Sequence, residues 1–150
     1  MSDHVPQDPH FETRVRDSFA RQAAMATIGA ELTRVAPGEI EITLLWRADL
    51  TQQHGYLHAG IVATALDSAC GYAAYSLMPA DADVLSIEFK TNLLAPAAGD
   101  TLLARAHVVR AGRTVTACEG RAFMRDGEEE AATERLVATM SATMMTVRPR

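Results

Sequence analysis

Charge is what the middle of this chain lacks: from Ala59 to Ala80 the only charged residue is Asp67. Other absences narrow the possibilities. There is no basic excess, and a formal net charge of −5 excludes broad nucleic-acid binding, which needs a basic face. The two cysteines, Cys70 and Cys118, have neither metal-ligand nor disulfide spacing, so a reducing compartment is expected. The opening residues MSDHVPQDPHFETR hold no apolar signal core, which leads to the expectation of a cytoplasmic protein. No glycine loop fit to cradle phosphates is present, nor a cluster of metal ligands, an internal repeat, a low-complexity tract or a dividing linker. A chain of 150 residues then forms one domain with a sizeable core, which an oligomer interface can complete.

The stretch from Gln52 to Tyr75 organises the rest. It opens as a polar, glycine-containing loop carrying Gln52, His54 and His58, then becomes a run of Ala and small apolar residues. A helix apolar on every side is expected to be buried on every side. The run is rich in Gly, Ala, Ser and Thr, has Asp67 at its middle and lacks flanking Lys or Arg, so it reads as a core helix rather than a membrane span. An ionised carboxylate in such a helix costs several kcal/mol unless something pairs with it. Asp67 is therefore either a structural acceptor for a neighbouring strand or subunit, or a reactive group. The polar loop before it favours chemistry.

In chain order, residues 1–8 read as disordered, and Asp8-Pro9 as a helix start. Phe11, Val15, Phe19 and Ala23 extend a short amphipathic helix to about Met25. We place a tail and helix in residues 1–24 and a single domain in 25–150. Ile28, Ala30 and Leu32 alternate up to a tight turn at Ala36-Pro37-Gly38-Glu39, and Ile40, Ile42, Leu44 and Trp46 alternate beyond it, giving a hairpin. Pro79 stops the central helix. Four segments follow, Val84–Leu94, Thr101–Arg110, Thr114–Met124 and Glu134–Val147, separated by turn residues. They are expected to form an antiparallel meander. The simplest packing is an α+β fold in which a curved antiparallel sheet wraps one long helix.

Joint spacing then carries a resemblance. Gln52-x-x-Gly55-x-x-His58-Ala59-Gly60, Leu66-Asp67, and a strand with Ser86-Ile87-Glu88-Phe89-Lys90 and Asn92-Leu93-Leu94-x-Pro96 together resemble the hotdog-fold acyl-CoA thioesterases of the phenylacetate-pathway (PaaI-like) group, over about residues 25–147. The resemblance implies that Gln52 helps bind the thioester and that Asp67 is the base or nucleophile. It implies that the backbone N–H of Ala59, where the family usually has Gly, reaches the thioester carbonyl, and that Ser86 helps hold the water. It further implies a homodimer with shared active sites, assembled as a dimer of dimers, with no cofactor beyond the coenzyme A carried by the substrate.

Elementary chemistry agrees. Thioester hydrolysis needs a nucleophile and a donor for the developing oxyanion, and the first turn of a buried helix supplies free N–H groups and positive potential. With a helix starting near His58, the N–H groups of Ala59 and Gly60 lie there. Asp67 can activate water or attack directly. His58 and Asp67 are nine residues apart, about 13 Å along a helix, so they cannot meet on one carbonyl within one chain. Two antiparallel copies of the helix can bring them together. Arg110 and Arg113, around Gly112, can meet coenzyme A phosphates or stand solvated in a turn. His54 reads as a loop residue, His58 as either a catalytic-site residue or a structural one whose side chain fixes the loop at the helix start, Thr64 and Ser68 as helix contacts, and Met140, Met144 and Met145 as packing. The expected function is hydrolysis of an acyl-CoA. The alternatives are a non-catalytic acyl-CoA-binding or ligand-sensing protein of the same fold and, disfavoured by the lack of a histidine after Asp67 in the helix, a dehydratase.

Overall fold

In the computed structural model, which describes residues 3–129 and 132–149, a single long helix lies in the concave face of a six-stranded sheet. This helix, α3 (Ala59–Tyr75), follows two short helices, α1 (Phe11–Arg21) and α2 (Ala23–Ile28). The strands are β1 (Ala30–Ala36), β2 (Glu39–Leu45), β3 (Asp83–Leu93), β4 (Thr101–Ala111), β5 (Val115–Arg125) and β6 (Glu134–Val147). Their spatial order is β1-β2-β4-β5-β6-β3, and every neighbouring pair is antiparallel. The expected hotdog arrangement, a curved sheet around one central helix, is present.

Small residues let the helix sink into the sheet. Ala65, Ala69 and Ala73 of α3 are fully buried, as are Ala104, Ala122 and Ala138 on the strands facing them. A Cβ on Gly120 of β5 would come within 3.1 Å of Leu66 and 3.2 Å of the Cys70 sulfur, so any larger residue would push these side chains of α3 aside. Ile42, Leu44, Leu102, Met124, Met140 and Met144 fill the space on either side. Two of the three C-terminal methionines are thus core, whereas Met145 is exposed.

Three features depart from the sequence reading. The strand β3 does not lie beside β4. Only β4, β5 and β6 form a meander, while β3 crosses to the far edge and pairs with β6, leaving β4 to pair with β2. Turn residues mark where a strand ends and say nothing about which strand it joins, so local signals could not reveal this. The amphipathic helix also breaks at Gln22, whose N–H closes α1 on the Phe19 carbonyl and whose side chain donates to Ser68 Oγ at 3.1 Å. Finally, the described part of the leading segment is packed rather than loose. Gln7 donates to the Leu77 carbonyl, and Asp8 is buried.

Asp8 does not cap α1 directly. One of its oxygens accepts from the His10 N–H, and the other pairs with Arg14 at 2.9 Å. Arg14 in turn donates to the carbonyls of Tyr75 (2.8 Å) and Met78 (3.0 Å) and lies over the Tyr75 ring. The guanidinium therefore gives the Tyr75 carbonyl, which also accepts from the Met78 N–H, a second donor, and it caps the Met78 carbonyl just past α3, fastening α1 to α3. Replacing Arg14 with Ala strands a buried carboxylate and frees the Met78 carbonyl. The expected loss in urea unfolding is about 2–4 kcal/mol; a change under about 0.5 kcal/mol would show that the fastening is incidental.

Candidate active site

The polar loop ahead of α3 is built as a closed unit. Gly55, at φ +85°, reverses the chain so that its N–H meets the Gln52 carbonyl at 3.0 Å and the Gln52 N–H meets the Tyr56 carbonyl at 2.9 Å. Trp46 Nε1 donates to the Gly55 carbonyl from outside at 3.0 Å, a contact that nothing in the sequence pattern signalled. Inside the loop, the Gln52 side-chain oxygen accepts from the backbone N–H groups of His54 (2.5 Å) and Tyr56 (3.4 Å). Its oxygen being engaged, the Gln52 carboxamide offers its NH2 as a donor. His54 takes part through its backbone.

His58 is the N-cap of α3: its Nδ1 accepts from the Gly60 N–H at 2.8 Å. That bond fixes the imidazole with Nδ1 unprotonated. The lack of a Cβ at Gly60 leaves room for the ring, since one built there would lie 3.1 Å from Nδ1. The Gly60 N–H is thus already engaged, and of the two expected donors the one left is that of Ala59, from which nothing accepts among the described residues. Ala59 has ordinary backbone, because no described residue other than glycine has positive φ. Its methyl group therefore costs nothing in backbone strain. Ala59 and Gln52 share a cavity of ≈ 490 Å³ whose other walls include Val62, Leu94, Pro96 and Val137.

Asp67 lies on the same helix about two and a half turns further on. The helix is not covered on every side as its composition suggested. Gly60, Thr64, Asp67 and Gly71 form a stripe at helical spacing that the chain leaves partly open. Asp67 is half-buried there, and Ser86 Oγ of β3 donates to its Oδ1 at 2.7 Å. Ser86 reaches inward just ahead of a bulge at Ile87, where the β3–β6 register shifts; such bulges re-aim side chains. Asp67 and Ser86 line a second cavity, ≈ 270 Å³, walled also by Ser18 of α1 and by Gln22 at the break after it. Sequence reading gave α1 no part in the site, because helical spacing shows only which face is apolar.

Within one chain, then, Gln52 meets Ala59 and Asp67 meets Ser86, and no residue lines both cavities. Arg110 and Arg113 are exposed at the β4–β5 turn, and Arg113 lies beside Leu77 and Met78 past the C-terminal end of α3. The cysteines offer no competing nucleophile: burial pushes the Cys118 thiol up to about 12 and the Cys70 thiol higher still. Among the described residues no group of three His, Cys, Asp or Glu could hold a metal, and no helix is long and apolar enough to cross a membrane.

Comparison with known proteins places these residues in context. The thioesterase superfamily profile matches residues 54–131. A crystal structure of a thioesterase family protein from Silicibacter pomeroyi is 50% identical, superimposes with a TM-score of 0.88, and the match covers 93% of this chain and 99% of that one. The E. coli PaaI protein from the phenylacetic acid degradation operon shares the fold at a TM-score of 0.80 and 18% identity, over 94% of this chain and 96% of that one. A proposed esterase of Halobacterium salinarum is 35% identical over 100 residues, which are 63% of this chain and only 66% of that protein.

The cap geometry can be checked alone. His58→Ala removes the acceptor of the Gly60 N–H and should cost about 0.5–2 kcal/mol in unfolding free energy, whereas His58→Asn, which keeps an acceptor, should recover most of it. Equal losses in the two variants would contradict the capping role.

Proposed function

We propose that this chain, which belongs to the thioesterase superfamily, hydrolyses an acyl-CoA thioester to the free acid and coenzyme A. The observation that carries the reading is the Asp67 carboxylate, held by Ser86 on one oxygen and lining a cavity, on a helix whose first turn keeps one donor free. The Ala59 N–H and the Gln52 NH2 donate to the thioester carbonyl oxygen and stabilise the negative charge that develops on it. Asp67 takes a proton from water, whose oxygen attacks the carbonyl carbon. The tetrahedral intermediate collapses, the C–S bond breaks, and the thiolate leaves with the proton that Asp67 returns. In the nucleophilic variant of this scheme Asp67 itself attacks the carbonyl carbon, the C–S bond breaks and the coenzyme A thiolate leaves, taking a proton from water; a water molecule then hydrolyses the resulting anhydride to the free acid and the Asp67 carboxylate.

The reading requires two copies of the chain. The edge strand β3 exposes Leu85, Ile87 and Phe89 at 61%, 53% and 45%. A long apolar edge strand with unpaired backbone groups is unfavourable in water and invites pairing. Pairing two β3 strands about a two-fold axis continues the sheet, gives the edge backbone groups partners and lays the two α3 helices antiparallel. In that dimer Gln52, His58 and Ala59 come from one subunit, and Asp67 and Ser86 from the other. The Arg110 and Arg113 turn travels with Asp67, past the C-terminal end of α3, and lies toward the loop end of the partner's helix, where it can meet coenzyme A phosphates. The reducing, cytoplasmic setting expected from the sequence suits a substrate of this class.

The test is a panel of acyl-CoAs incubated with the protein and a thiol reagent. Release of coenzyme A is expected, and Asp67→Asn should lower it at least about 100-fold while the protein stays folded. Gln52→Ala should raise the barrier by about 1–3 kcal/mol. Binding of acyl-CoA without turnover would assign a non-catalytic role instead, and full activity in Asp67→Asn would remove Asp67 from the chemistry.

A further inference from the structure

Gly71 lies four residues after Asp67, one turn on along the same face of α3. A glycine in mid-helix is less stable than an alanine, so its presence asks for a reason. Two usual reasons do not apply within the chain. Its φ is not positive, and a Cβ built on it meets nothing within 4 Å, in contrast to Gly120, where Leu66 and Cys70 of α3 lie within 3.2 Å of one. What the missing side chain leaves is open space, and Gly71 lines the ≈ 270 Å³ cavity that also holds Asp67 and Ser86.

We propose that Gly71 is a specificity-determining residue, which leaves room for the acyl group of the substrate one helical turn beyond Asp67, between α1 and β3. This rests on the acyl-CoA thioesterase reading above. The cavity, at ≈ 270 Å³, has room for a short acyl group. Its walls carry two carboxylates, Asp67 and Asp83, and these repel phosphates and any acyl group that ends in a carboxylate. Ser18 and Tyr72, their hydroxyls 3.2 Å apart, bridge α1 to α3 at the same cavity. The acyl group so selected is uncharged and of limited length, and α1 forms one wall of its site.

The experiment measures kcat/KM for straight-chain acyl-CoAs from acetyl to decanoyl with wild type, Gly71→Ala and Gly71→Leu. The readout is the ratio of the longest chain that wild type hydrolyses to acetyl-CoA. The ratio should fall about tenfold in Gly71→Ala and about a hundredfold or more in Gly71→Leu, as expected when a pocket loses room for methylenes. Gly71→Ala should at the same time melt about 2–4 °C higher, because it restores helix propensity, so a narrowed substrate range cannot be ascribed to damage. Light scattering should give the same mass for all three proteins. An active wild type whose ratio is unmoved by both substitutions, or one confined to acetyl-CoA, overturns the inference alone. A changed mass in either variant also overturns it, by assigning the open face to contact between copies. A wild type inert towards the whole series removes the thioesterase reading and this inference with it.

Discussion

The packing of α3 against the sheet is the constraint on which everything else depends. Alanines on the helix and alanines with Gly120 on the strands let the backbone of α3 approach the sheet closely, and close-packed interiors of this kind deform little. The helix is therefore a rigid ruler. The Ala59 donor stands at its first position and Asp67 at its ninth, and no side-chain motion can bring the two onto one atom. A second copy of the ruler, running the other way, can.

The loop and the cap show how polar groups are assigned before any ligand arrives. Each acceptor that could compete for the free donors is already engaged: the Gln52 oxygen by its own loop, and His58 Nδ1 by Gly60. What Gln52 and Ala59 have left at the larger cavity is an NH2 and an N–H, which suit a carbonyl oxygen gaining charge. Across the helix the balance is reversed. Ser86 donates to one carboxylate oxygen of Asp67, leaving the other as an acceptor for a proton. Donors on one half-site and an acceptor on the other form the polarity that acyl transfer to water demands.

Much of this was legible in the sequence because it rests on local pattern. The lone charge of Asp67 in an apolar run, the change of period from helix to strand, and the spacing from Gln52 through His58 to Asp67 all survive in the structure as a helix, a loop and a sheet. Long-range pairings were not legible. The edge position of β3 depends on a crossover that turn residues do not encode, and Arg14 reaches the end of α3 across 61 residues of sequence. The engagement of the Gly60 N–H was hidden for a different reason: a histidine before a helix can cap it or face a ligand, and only coordinates separate the two. Gly71 read as one more small residue of the helix until the space beside it could be seen.

The central claim is that each active site draws its donors from one subunit and its carboxylate from the other. It is tested most directly by unfolding Gln52→Ala and Asp67→Asn variants together and refolding the mixture, with each variant and wild type refolded alone as controls. A mixed dimer holds one site with both defects and one with neither. Random exchange makes half of the dimers mixed, so the account predicts recovery of about a quarter of wild-type activity, well above either variant alone. A mixture no more active than its components, beside an active refolded wild type, would place the whole site within one chain and contradict the account.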